Sequence, residues 1–279
     1  MKNLKRLIEI REKGLDAVNI EDIPLVFQIF CDFINVNQEA QKFIEVYELT
    51  MLVKIKDAEP YYFIIKDKNA KFSKGILKTP DFIIISDLKT ISKLLLGHLD
   101  PLEAYFSELF TIKGDLFKVV LFVEILELAF KLLEIREEGE DKILIDASSM
   151  KRLIEVYLKG SPVEPSQVPL FLEILTAFVN NNPEAKDIIS EEDLIIQMRI
   201  TDLDNYLIRI VDNRMEWSKD TVSNPNLILE MSLKTSAEVL LNGDPVSAYM
   251  AGKIIIQGDI TKALILQSII DVFLDFINV

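Results

Sequence analysis

The sequence predicts an α+β fold present twice in tandem, each copy a mostly antiparallel sheet with helices gathered on one face. Three observations predict it. Collinear identities recur at a nearly constant offset along the whole chain. Short β-rich runs alternate with turn residues in each half. Each half ends in a long helix that is apolar over most of its circumference.

The repeat fixes the organisation. Asp100-Pro101 with Ala104-Tyr105 recurs as Asp244-Pro245 with Ala248-Tyr249, and Gly114-Asp115 recurs as Gly258-Asp259. Pro24-Leu25 recurs as Pro169-Leu170, Glu39-Ala40 as Glu184-Ala185, Asp67 as Asp212, and Arg6-Leu7-Ile8-Glu9 as Arg152-Leu153-Ile154-Glu155. The offset drifts only from 144 to 146. Such a spacing is a duplicated domain, because solenoid repeats run about 20–50 residues. The copies are assigned to residues 1–136 and 151–279, with an acidic linker over 137–150 around Glu137-Glu138-Gly139-Glu140-Asp141.

Within the first copy, Ile23 to Ile34 reads as an apolar helix with Pro24 in its first turn, where a missing N–H is harmless. Thr50–Lys56 and Tyr61–Lys66 read as a hairpin across Asp57 to Pro60. Asp67-Lys68-Asn69 forms a second turn into a short strand through Phe72. Phe82 to Ile85 is an apolar strand, and Ser86 or Asp87 caps the helix that begins near Leu88. Asp100 caps another helix, with Pro101 at its first position. Phe110–Lys113 is a strand, and Gly114-Asp115 turns the chain into the last helix.

Composition excludes several functions. The chain has 279 residues, one cysteine and one histidine, so an internal disulfide and a thiolate metal cluster are ruled out, and little room is left for histidine-based catalysis or histidine-ligated zinc. Cys31 lies on an apolar helix and reads as core; His98 reads as a turn residue, its counterpart in the other copy being Asn242. Nine glycines include no phosphate-binding loop. Glu191-Glu192-Asp193 reads as a helix start or solvated loop, and Trp217, the counterpart of Phe72, as core or rim packing. No catalytic residue, metal or cofactor is expected. The net charge of −14 disfavours nucleic acid. It is unevenly shared: residues 1–136 hold 19 Lys+Arg against 21 Asp+Glu, leaving 12 against 24 for the rest. Only the near-neutral first copy is therefore expected to approach an anionic membrane, transiently.

Mean hydropathy is +0.23 although 27% of residues are charged. No run of about 20 apolar residues explains it, and the charged start Met1 to Gly14 lacks a signal-peptide pattern. A soluble cytoplasmic protein is expected. The last helices account for the excess. At about 100° per residue, Glu124, Glu127, Lys131 and Glu134 form a polar stripe only about 80° wide. In the second copy Gln267, Ser268, Asp271, Asp275 and Asn278 span about 100°. An ordinary surface helix has an apolar stripe of that width instead. Neighbouring helices, the other copy or an apolar ligand would each cover the remainder. Lys118 and Lys262 depart from the polar stripe. Each is read as snorkelling to solvent, pairing with Asp115 or Asp259, or standing at a pocket mouth to hold an anionic head group.

Taken together, Asp81-Phe82 to Leu88, then Leu94 to Phe106 with its Asp100-Pro101, then Phe110 to Leu116 resemble the sterol carrier protein type 2 family. In the second copy, Asp244-Pro245 to Gly252-Lys253 and on to Gly258-Asp259 are more similar still. The resemblance covers roughly residues 37–135 and 182–278. It implies a five-stranded sheet under helices, enclosing an apolar tunnel in each copy. It implies non-catalytic binding and intracellular transfer of lipids, whether fatty acyl, phospholipid or sterol-like. The lining is then expected at Ile84, Phe106, Phe110, Phe117, Val120 and Leu121, and at Leu229, Met250, Ile254, Leu264 and Ile265. Copy one has Glu108-Leu109 in place of Gly252-Lys253, which challenges the tight turn there. The alternative is an interaction or dimerisation module whose interior is plugged by Phe106, Phe110 and Phe117. The oligomeric state stays open.

Overall fold

The computed structural model describes residues 18–45, 47–132, 156, 163–201, 203–242 and 245–277. The chain divides into two compact units between Lys151 and Arg152. The acidic stretch 137–150, the start of each repeat around Arg6 and Arg152, and Asp244 lie outside the described residues.

Among the described residues of unit 1, a 3-10 turn (Ile20–Asp22) leads into helix α1 (Ile23–Val36), followed by α2 (Gln38–Ile44). Strands β1 (Leu49–Ile55), β2 (Tyr61–Lys66), β3 (Asn69–Lys74) and β4 (Phe82–Ser86) follow. Then come α3 (Leu88–Leu95), α4 (Pro101–Phe106), β5 (Thr111–Gly114) and α5 (Leu116–Leu132). The sheet order is β3-β2-β1-β4-β5. All pairs are antiparallel except β1 with β4, which run parallel with Val53 opposite Ile84.

Unit 2 repeats the plan with α6 (Gln167–Asn181), α7 (Pro183–Ile189), β6 (Leu194–Ile200), β7 (Asn205–Val211) and β8 (Arg214–Ser218). It continues through β9 (Leu227–Met231), α8 (Leu233–Asn242), α9 (Pro245–Met250), β10 (Ile254–Gly258) and α10 (Ile260–Ile277). Its sheet order is β10-β9-β6-β7-β8, again with one parallel pair, β6 with β9.

The expected caps are present, and the ambiguous one falls on Asp87, whose carboxylate accepts from the Thr90 N–H at 2.8 Å. Asp100 accepts from the amides of Leu102 and Glu103, both at 2.9 Å. The β2–β3 turn puts Asp67 and Lys68 at φ 51° and 59°, and Asp212 and Asn213 repeat it at 52° and 57°. Two consecutive left-handed residues make the hairpin turn whose twist matches its strands.

Two repeated clamps position the layers. Asn35 brackets Ala70 with hydrogen bonds of 2.9 and 2.7 Å, and Asn180 brackets Met215 with two of 2.8 Å. Each fastens the first helix of its unit to a sheet edge. At the other end, Asp81 accepts from the Thr50 amide, and Asn226 from the Ile195 amide at 2.7 Å. The carbonyls of Asp81 and Asn226 also receive the amides of Asp115 and Asp259, so the last helix starts at a fixed point on the sheet.

The turn challenged by the loss of glycine survives in unit 1. Glu108 adopts φ 56°, where Gly252 has 69°, and the same two backbone bonds close both turns. A side chain in this region costs about 1–2 kcal/mol. Glu108→Gly is accordingly expected to stabilise unit 1 by about 1 kcal/mol in urea-unfolding measurements, the entropy of the added glycine offsetting part of the relief.

Candidate functional site

A small apolar cavity of about 50 Å³ lies between the sheet and helices of unit 2. Its floor is Met198 on β6, Leu229 and Met231 on β9, and Ile254 and Ile256 on β10. Alternate residues of a strand share a face, so each of these strands offers every second side chain. Ser236, Val239 and Pro245 close one side. The roof is Ala263, Leu266, Gln267 and Ile270 of α10, which stand at i, i+3, i+4 and i+7 on one helix face.

Two of the five residues expected here, Leu229 and Ile254, line the cavity. Met250, Leu264 and Ile265 do not, and Met250 and Leu264 are 78% and 55% exposed. The roof face sits on an adjoining arc of the helix. An almost wholly apolar circumference gives the wheel no phase, so the arc turned to the sheet is not readable from it. Gln267, counted with the polar stripe, is on the roof.

In unit 1 some equivalent positions are bulkier, while Val53, Ser86 and Val123 are smaller than Met198, Met231 and Gln267. Phe110 replaces Ile254, Val119 replaces Ala263, Phe122 replaces Leu266 and Ile91 replaces Ser236. The Phe122 ring lies 5.7 Å from Phe30 and 6.1 Å from Phe82 in edge or tilted contacts. Of the expected lining, Ile84, Phe106, Phe110, Val120 and Leu121 are buried, and Phe117 is half-buried with its ring 6.5 Å from Tyr47.

The two last helices therefore differ. On α5, every residue from Val119 to Leu126 except Glu124 is buried. On α10, Ile269, Ile270, Phe273 and Leu274 are buried, while Ile260 to Ser268 is half-buried or exposed. Phe106 and Val120 are 0% and 5% exposed, against the 78% and 55% of their counterparts Met250 and Leu264. On the last helix and the helix before β10, the open apolar residues belong to the acidic copy.

Both lysines have structural partners. Lys118 Nζ donates to the carbonyl oxygen of Glu48, and Lys262 Nζ to the Glu192 carboxylate at 2.5 Å. Each ties the first turn of the last helix to the residues leading into the first strand. Glu192 raises the Lys262 pKa above the ordinary lysine value, so the pair persists until the pH rises past that range. Asp115 and Asp259 act mainly as caps; Asp259 accepts from the Thr261 amide and hydroxyl at 2.9 and 2.6 Å. Glu192, expected in a helix start or solvated loop, is a half-buried partner instead.

The remaining chemistry-bearing residues stand apart from the cavity. Cys31 is buried, and desolvation pushes its thiol up to about 12. His98 is exposed in the turn after α3, its amide donating to the Lys93 carbonyl at 2.9 Å. Trp217 donates to Glu173 at 3.2 Å and packs 6.3 Å from Tyr206. Among the described residues no acidic, His or Cys group could hold a metal ion, and no helix is long and apolar enough to cross a membrane.

The chain is thus a twice-repeated five-stranded α+β unit, with an apolar space between sheet and last helix in unit 2. The SCP-2 sterol transfer family matches residues 30–127 and 173–271, well over half of the sequence, and the chain belongs to that family. No curated protein sequence matches. Among solved structures, the chain is similar to the sterol carrier protein domain 2 of Helicoverpa armigera, with 18% identity, TM-score 0.37, and 44% of this chain and 97% of that one covered. It is also similar to a conserved hypothetical protein of Thermus thermophilus, possibly a sterol carrier protein, with 20% identity, TM-score 0.32, and 42% and 89% covered. The inverting sec-alkylsulfatase Pisa1 of Pseudomonas sp. is similar at 11% identity and TM-score 0.32, with 55% of this chain and 24% of that one covered.

Proposed function

We propose that the chain is a non-catalytic lipid carrier of the cytoplasm that binds one hydrophobic molecule in unit 2. The observation that carries this reading is the unit 2 cavity, ten of whose twelve lining residues are apolar and none charged. At about 50 Å³ it is smaller than the ~150 Å³ that admits a benzene ring. A lipid chain enters only if the roof moves. In this reading the half-exposed stretch Ile260–Gln267 of α10 bows outward from its start at Asp259, which the Asn226 carbonyl holds. Its far half is held by Phe273, 5.8 and 5.2 Å from the rings of Phe171 and Phe178.

The energetics support a carrier. A 16-carbon chain gains roughly 13 kcal/mol at about 0.8 kcal/mol per methylene. Association consumes about 4–15 kcal/mol of that, and opening the roof takes a further part. Moderate affinity with easy release follows. In this reading Lys262 and Glu192 latch the moving half. Lys262→Met is expected to speed lipid uptake about 2–5-fold in stopped-flow measurements, the scale of a half-exposed ion pair. A lysine gripping an anionic head group would instead show weaker fatty-acid binding with uptake unchanged.

Transient membrane contact is supported by exposed apolar residues in both units, Val36 and Ile76 in the near-neutral first and Met250, Ile260 and Leu264 in the second. A second reading, an interaction module without bound lipid, is favoured for unit 1 by its buried Phe106 and Phe110. Solvent extraction and mass spectrometry of the natively purified protein test the proposal. Co-purifying lipid is expected; empty protein that also takes up no fluorescent fatty acid would overturn it.

A further inference from the structure

The two sheets end in four edge strands, β3 and β5 in unit 1 and β8 and β10 in unit 2. An edge strand leaves peptide groups unpaired, and a charged side chain on it discourages pairing with another chain. β3 carries Lys71 and Lys74, β5 carries Lys113, and β8 carries Arg214 and Glu216. β10 reads Ile254-Ile255-Ile256-Gln257-Gly258 and carries no charge. At the 144-residue offset, Gln257 stands where β5 has Lys113, and Ile255 where it has Thr111. Ile255 is 53% exposed, and Gln257 is exposed as well.

The register against β9 shows which peptide groups of β10 face outward. Ile254, Ile256 and Gly258 stand opposite Met231, Leu229 and Leu227, and the next amide, that of Asp259, donates to the Asn226 carbonyl. Peptide groups alternate in direction along an antiparallel strand. Ile255 and Gln257 therefore bond inward to β9, while the N–H and C=O of Ile254, Ile256 and Gly258 point away from the sheet.

A second β10 running antiparallel fits this edge about a two-fold axis at Ile256. Ile256 then faces its own copy as a hydrogen-bonded pair, and Ile254 faces Gly258 on either side. Ile255 and Gln257 stand opposite each other on the sheet face away from the cavity, because Ile254 and Ile256 line the cavity floor. The same axis sets Lys253 opposite Asp259 at both ends. Lys253 is 52% exposed in its ion pair with Glu238, and Asp259 is exposed while it caps α10, so each can meet a second charge. The corresponding axis in unit 1 would set Leu109 opposite Asp115 and Thr111 opposite Lys113. The charge complementarity belongs to β10 alone of the two.

We infer that β10 is a dimerisation edge, on which a second copy of this chain adds its own β10 and joins the two unit 2 sheets. An uncharged centre flanked by two opposite-charge pairs sets the register and favours a second copy over an unrelated strand. The cavity side chains keep their places in both copies, so the pairing is independent of the carrier reading above.

The test measures the mass of the full chain by sedimentation equilibrium over a series of concentrations. The wild type is expected to form a reversible dimer. Gln257→Lys, which carries the unit 1 residue, sets its new ammonium diagonal to Lys253 of the second copy and to its own counterpart. It is expected to weaken the dimer about tenfold while fatty-acid uptake stays unchanged. Disulfide trapping then reads the register. Directly opposite residues of a non-hydrogen-bonded pair have Cα atoms about 4.5 Å apart, and diagonal ones about 7–8 Å. A disulfide spans the first distance and not the second. An oxidised mixture of Ile255→Cys and Gln257→Cys proteins is therefore expected to give a covalent dimer, and neither variant alone is. Cys31 is buried and adds no background. A wild type that stays monomeric would overturn the inference, whether the edge is then unused or taken by a strand of another protein. A dimer indifferent to Gln257→Lys, or trapped equally well by either cysteine alone, would overturn it too.

Discussion

Giving unit 2 the side chains of unit 1 is expected to abolish lipid binding by the whole chain. The triple variant Ile254→Phe, Ala263→Val, Leu266→Phe places on floor and roof the residues found at 110, 119 and 122. Two phenyl rings and two extra methyl groups then compete for about 50 Å³. The surplus fills the cavity and part of the space that opening α10 would create. Overpacking costs about 1–3 kcal/mol where surroundings are rigid, but the near half of α10 is half-exposed and able to yield. The variant is therefore expected to stay folded by circular dichroism, with lipid uptake reduced at least about tenfold. Undiminished uptake would place the ligand elsewhere in the chain.

Gly258→Ala is expected to be the most damaging single substitution considered. Gly258 has φ 104°, and a Cβ there would stand 2.3 Å from the Asn226 carbonyl oxygen. That oxygen accepts the Asp259 amide at 3.1 Å, and the Asn226 side chain holds the Ile195 amide. A methyl group therefore disrupts the joint between β6, β9 and the start of α10 at once. Backbone strain alone contributes about 1–3 kcal/mol, and displacement of the joint adds to it. We expect a loss of about 3 kcal/mol or more in the unit 2 unfolding transition. Gly114→Ala, with its Cβ 2.3 Å from the Asp81 oxygen, should act likewise on unit 1. Gly252→Ala is the control: φ is 69° but nothing lies within 4 Å, so only the conformational cost of about 1 kcal/mol remains. Equal losses at 252 and 258 would contradict the close-approach argument.

The elements were largely legible because their signals are local. Period-two apolar strands, Asp87 and Asp100 as caps, Pro at helix starts and the Asp67 turn are each read within a few residues. The duplication added a long-range check. What stayed hidden depended on position in space. The apolar circumference of α10 gave no phase, so Leu264 and Ile265 stood in for Ala263 and Leu266. Gln267 looked like one more member of a solvated stripe. The partners of Lys118 and Lys262 lie 70 residues away in sequence. The Asn35 and Asn180 clamps were missed although the repeat offered a signal, the same residue at the same offset after an apolar helix. The bulk difference between the copies was written in the sequence too. The 144-residue offset alone matches Ile254 with Phe110 and Ala263 with Val119, so the heavier aromatic load of the first copy is legible without the structure.

Native mass spectrometry of the intact chain, with saturating 1-dodecanol, tests the central claim most directly by counting ligands per chain. The account predicts one bound molecule in wild type and none in the Ile254→Phe, Ala263→Val, Leu266→Phe variant. Two molecules in wild type, or one retained by the filled variant, would contradict it.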